Sequence, residues 1–198
     1  MTATTLVDGG FTAPVFQSQA VFRLVMDAMA QPGLIVDVGW PVQAPAPLEP
    51  AAAAFLATLA DYDTPVWFED RGAHAAVSWL TFHTGAAVTK DPSTASFSIL
   101  SPKSPVDSWS TFAMGTLSYP DRSATLLLPV ESLRGGTPRR IRGPGIETVA
   151  TIAPCGLPDG FAEAMAHNAA RFPLGFDLLL ICGSELLALP RTTRLVEA

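Results

Sequence analysis

The chain has 198 residues, 48% of them hydrophobic and only 15% charged, with a net charge of −6 from 12 basic and 18 acidic side chains. That length supplies one well-filled core, burying roughly 70% of the unfolded surface with no need of a disulfide or metal staple. The acidic balance excludes general nucleic-acid binding, and no apolar run reaches the roughly 18 residues that cross a bilayer.

The segment Met1–Gly10 has neither a basic residue nor an apolar run, so no secretory signal is read there and a cytoplasmic chain is expected. Residues 1–13 read as a flexible arm and 14–198 as a single domain. Pro14 suits the first position of a helix. Val21, Leu24, Val25, Ala28 and Met29 then recur at helical spacing until Gln31-Pro32-Gly33 stops them. Leu34–Val38 reads as a strand. Pro41, Pro45, Pro47 and Pro50 make a stiff connector, and Pro50 opens a helix over Ala51–Ala60 with Phe55, Leu56 and Leu59 inward. Asp61–Pro65 is a turn and Val66–Phe68 a strand. Ala73–Phe82 reads as a helix, Ala86–Val88 and Phe97–Leu100 as strands, and Val106–Phe112 as a weak helix.

Thr125–Val130 reads as a buried strand, and glycines on either side put 139–142 on a strand of a hairpin. Asp159 suits the N-cap of a helix over 160–171, with Phe161, Ala162, Met165, Ala166 and Ala169 facing in. Leu178–Cys182 and Leu186–Leu189, separated by Gly183-Ser184-Glu185, read as two buried strands of a tight hairpin. Pro190 ends the second, and Arg191-Thr192-Thr193 leaves the sheet as a polar tail. Helices interleaved with strands, and hairpins late in the chain, give an α/β fold with a mixed sheet.

The densest charge feature is Arg134, Arg139, Arg140 and Arg142, four of the ten arginines, set among Gly135, Gly136, Gly143 and Gly145. On a strand, Arg140 and Arg142 share one face and Arg139 takes the other. Arg134, Arg140 and Arg142 are therefore candidate anion ligands, since guanidiniums beside backbone N–H groups suit a phosphate or triphosphate. An edge strand blunted by positive charge fits the same pattern. Asp61 and Asp63 form a carboxylate pair, or simply a helix-exit turn. His83 follows a helix end; His74 and His167 are isolated. Lys90 and Lys103, the only lysines, lie in polar loops unsuited to a Schiff base. Cys155 and Cys182 have no zinc or iron–sulfur spacing and read as buried thiols in a reducing compartment. No metal site and no complete catalytic set is expected, and the low charge content implies a surface partly covered by a partner.

Several blocks together resemble the PhnH family, a subunit of the bacterial carbon–phosphorus lyase system. They are Phe22-Arg23 with Ala28–Gly33, Leu59–Trp67, Phe82-His83-Thr84, Met114-Gly115-Thr116, Gly143–Ile146 and, most specific with 59–67, residues 172–193. The resemblance implies a three-layer α/β/α fold like a reduced pyridoxal-phosphate transferase, without that cofactor. It implies a homodimer when isolated and partner subunits G, I and J. In such systems subunits G, H, I and L displace adenine from ATP with a phosphonate, giving ribose 1-phosphonate 5-triphosphate; the nucleosidase step is attributed to I and the radical cleavage to J. A non-catalytic scaffold is the reading this favours. A self-sufficient small transferase with a phosphate cup and a plain homodimeric binding module are the rivals. The arginine-rich hairpin departs from the family pattern and is read from this chain alone.

Overall fold

The computed structural model describes residues 8–196. Helices α1 (Pro14–Ala30) and α2 (Pro50–Leu59) both begin on proline, whose missing N–H is not needed in a first turn. Strand β1 (Ile35–Asp37) lies between them, followed by β2 (Val66–Phe68) and α3 (His74–Thr84), which Gly85 ends. Then come β3 (Phe97–Ile99), β4 (Thr125–Pro129), β5 (Arg139–Arg142) and β6 (Ala150–Ile152). Helix α4 (Phe161–Ala170), β7 (Asp177–Cys182), β8 (Glu185–Leu189) and β9 (Arg194–Val196) complete the chain.

The expected α/β architecture with a mixed sheet is present. Six strands run in the order β1-β8-β7-β4-β3-β2; the last four are parallel, and β1, β8 and β7 alternate in direction. A second sheet has the order β6-β5-β9, all antiparallel. Alternation along the strands divides the core between the two faces of the larger sheet. Leu127, Leu179, Ile181, Leu186 and Ala188 meet α1, α2 and α3. Leu126, Leu128, Leu178, Leu180 and Leu187 meet Trp109, Phe161, Met165, and Ile141 and Ile152 of the smaller sheet. Consecutive buried alanines, Ala51 to Ala54, let α2 lie close against its neighbours.

Several local readings are corrected. Ala86–Val88 forms only a single bridge to Val66, because Asp91 accepts the Ser93 N–H and turns the chain into a 3₁₀ helix over Pro92–Thr94. Val106–Thr111 is 3₁₀ rather than α: Ser108, Ser110 and Thr111 each bond a carbonyl three residues back, which competes with α-helical pairing. The N-cap of α4 is Gly160, left-handed at φ 76°, which leaves Asp159 outside the helix. On α4 Ala166 is exposed and Asn168 buried, because the Asn168 amide grips the backbone of Phe176 through both its atoms, at 2.9 and 3.0 Å.

Cys155 and Cys182 are partly exposed and unpaired rather than buried, one in a loop and one at the last position of β7. Arg191 does not leave the sheet end but folds back onto it, and Thr193 is buried. The expected arm falls partly outside the described residues; within them, Gly9 accepts the Gln43 N–H at 2.7 Å and Phe11 packs on the core.

Candidate functional site

The smaller sheet carries most of the arginine cluster. Ile141, fully buried, anchors β5, and Arg139 places its guanidinium 5.8 Å from the Phe161 ring. Arg140 and Arg142 point away from that packed side and are exposed. Strand β5 is the centre of its sheet, so the edge-strand explanation for these charges does not hold. The register adds a residue that the sequence did not reveal: Arg194 of β9 lies directly opposite Arg142, while Arg140 faces Thr151 and Val196. Cross-strand partners project to the same face, so Arg140, Arg142 and Arg194 share one surface.

Arg134 is placed differently. Its guanidinium grips Glu185 with two bonds of 2.6 and 2.9 Å at the tip of the β7–β8 hairpin. This hydrogen bond raises the Arg134 pKa and lowers that of Glu185. Also at the tip, Glu49 accepts the Gly183 N–H. Burial, then the Glu49 and Glu185 carboxylates, push the Cys182 thiol above its ordinary value. At the hairpin's base, Arg191 meets Asp177 at 2.5 Å, donates to the Pro120 carbonyl at 2.5 Å and bonds Ser123. The β7–β8 hairpin is thus clamped at both its tip and its base.

The other nominated groups serve local structure. Asp61 Oδ1 accepts the Asp63 N–H at 2.9 Å and the Thr64 hydroxyl at 3.0 Å, which makes a turn. The His83 ring lies against Trp79 and Phe82, with centroids 4.8 and 5.0 Å away. Lys90 and Lys103 are exposed. Among the described residues no three His, Cys, Asp or Glu side chains gather as metal ligands, and no helix is long and apolar enough to cross a membrane.

Two hollows stand out among the described residues. One, of about 780 Å³, runs between the Val106–Thr111 turn and α4, with Asp107, Glu163, His167 and Arg171 on its walls. The other, of about 680 Å³, lies beside Gly10, Ser18, Thr58 and His83. Neither reaches Arg140, Arg142 or Arg194. Sequence reasoning also missed Glu69, which accepts the Ser101 N–H at 2.6 Å and the Ser104 hydroxyl at 3.1 Å, while Ser104 accepts the Trp109 indole N–H at 3.1 Å. Partners 32 and 35 residues away leave no local signal for such a contact.

The sequence model of the family described as bacterial phosphonate metabolism protein (PhnH) matches residues 9–196. The alpha-D-ribose 1-methylphosphonate 5-triphosphate synthase subunit PhnH of Rhizobium meliloti (strain 1021) is 45% identical over 197 residues, covering 98% of each chain. The putative C-P lyase subunit protein HtxG of Stutzerimonas stutzeri is 35% identical over 82 residues, 41% of this chain and 42% of that protein. With a match that takes in every strand and helix described above, this chain belongs to the PhnH family of bacterial phosphonate metabolism proteins.

Proposed function

We propose that this chain is an accessory, non-catalytic subunit of the assembly that makes ribose 1-phosphonate 5-triphosphate from ATP and a phosphonate. The observation that carries this reading is the 45% identity, over 98% of both chains, to a relative named as a subunit of that synthase. The side chains nominated for chemistry support it. The Asp61–Asp63 pair closes a turn and Arg134 clamps a hairpin. Bond-breaking then belongs to other subunits, with G, I and J as the partners, and with this chain a homodimer when isolated. On the same reading the sheet and its helices form a three-layer α/β/α body of the pyridoxal-phosphate-transferase type that works without the cofactor, in the cytoplasm. The arginines of the smaller sheet serve this assembly.

Co-purification tests the reading. A tagged copy expressed from its own locus under phosphonate growth should bring down subunits G, I and J in constant ratio. Recovery of the tagged chain alone, under conditions in which those subunits are present in the lysate, would overturn it.

A further inference from the structure

We infer that the outward face of the smaller sheet, built from Arg140, Arg142 and Arg194, is the surface on which an acidic polypeptide face of a partner subunit docks. This rests on the subunit reading above and says which face is used and what chemistry meets it.

The first observation is a cost that the fold does not need. Arg142 and Arg194 are directly opposite each other on an antiparallel pair. Like charges in that relation destabilise the pair. Among the described residues neither guanidinium has an ion pair or hydrogen bond of its own. The smaller sheet is held by its other side, where Ile141 and Ile152 are buried and Leu195 packs against them. Among the described residues nothing therefore calls for two opposed arginines, and Arg140 stands two residues along on the same face. An external set of carboxylates converts that repulsion into paired, bidentate contacts, for which the planar guanidinium is suited.

The second observation concerns shape. Small phosphorylated ligands are normally taken in concave sites, and neither of the two hollows described above reaches the three arginines. An exposed sheet face instead matches a broad protein surface. The third is charge complementarity: the arginines form a basic patch on a body whose net charge is −6. A local basic patch on an acidic body selects a partner with a matching acidic patch, in a fixed orientation.

The test uses the full chain and the assembled G, I and J subunits, with affinity measured at about 50 and about 300 mM NaCl, where screening differs strongly. Arg142→Glu and Arg194→Glu each turn a repulsive cross-strand pair into an attractive one. Their thermal midpoints should equal or exceed wild type, while their affinity for the subunits falls about tenfold or more and loses much of its salt dependence. The neutral double variant Arg142→Gln/Arg194→Gln should fall in between, and Lys103→Glu, on an exposed loop, should bind as wild type. Wild-type affinity and salt slope in both reversal variants would remove the docking face while leaving the subunit reading intact. Loss of binding matched by a lowered midpoint would make the arginines merely structural. Loss of tripolyphosphate binding with unchanged subunit binding would assign the face to a small polyphosphate. Failure of the wild-type chain to bind the subunits at all would remove both this inference and the reading beneath it.

Discussion

The carboxylate of Glu49 accepts the backbone N–H of Gly183, 134 residues further along the chain, and the Ala51 N–H donates to the Gly183 carbonyl at 2.9 Å. Glu49 is the N-cap of α2, yet its side chain does not cap its own helix. It holds the β7–β8 hairpin tip, while one of the helix's otherwise unpaired first N–H groups finds its acceptor there. Helix start and hairpin tip thus satisfy each other.

Glu49→Ala should cost about 1–2 kcal/mol, because the Gly183 N–H is left without its partner in a half-buried place. The pH dependence is more specific. Burial raises the Glu49 pKa above its ordinary 4.5, with the Gly183 N–H acting the other way. The native chain therefore holds this proton more tightly than the unfolded one. That contribution is complete below 4.5 and is lost as pH rises through the native value. Glu49→Gln, which does not titrate, should gain relative to wild type as urea midpoints are compared from acid to neutral pH. A relative loss over that range would contradict the assignment.

Arg191 and Asp177 are only 15% and 14% exposed at their side chains. Removing one member of so buried a pair leaves the other charge uncompensated, so Arg191→Ala should destabilise by about 3 kcal/mol. Arg191→Lys, which keeps the charge but lacks the fork that reaches Asp177, Ser123 and Pro120 together, should recover less than half of that. Denaturant midpoints give the answer, and full recovery by lysine would show that charge alone matters here.

Gly145, at φ 84°, brings the loop between β5 and β6 against the end of α1; a Cβ there falls 1.9 Å from the Ala30 carbonyl oxygen. Gly135 has the same φ with nothing within 4 Å. Gly135→Ala should cost only backbone strain, about 1–2 kcal/mol. Gly145→Ala adds a backbone collision and should cost about 3 kcal/mol or more, lowering the melting temperature by roughly 6–12 °C. Equal losses in the two variants would show that the loop and α1 are not locked together.

How much of this was legible follows from the range over which each signal acts. Pro14, Pro50 and the 3-4 spacing of Val21, Val25 and Ala28 announce α1 and α2, because those cues are contained within a turn or two. The β7–β8 hairpin is equally clear, being two apolar runs around a glycine. Strands β6 (Ala-Thr-Ile) and β9 (Arg-Leu-Val) carry no continuous apolar run of the kind that marks β2, and each pairs only with β5. Without β9 there is no way to see Arg194 opposite Arg142, 52 residues earlier. Glu49, Glu69 and Arg191 were missed as clamps for the same reason: each meets a partner that only the tertiary fold brings near. Asn168 was passed over on α4 because apolar periodicity says nothing of an amide that pairs with backbone.

The assignment of the chemistry to other subunits is tested by adenine release. Purified chain should release none from ATP plus methylphosphonate, whereas a mixture of subunits G, I and L should release it efficiently only when this chain is added. Sustained adenine release by the purified chain alone, or full activity of the mixture without it, would contradict the accessory role.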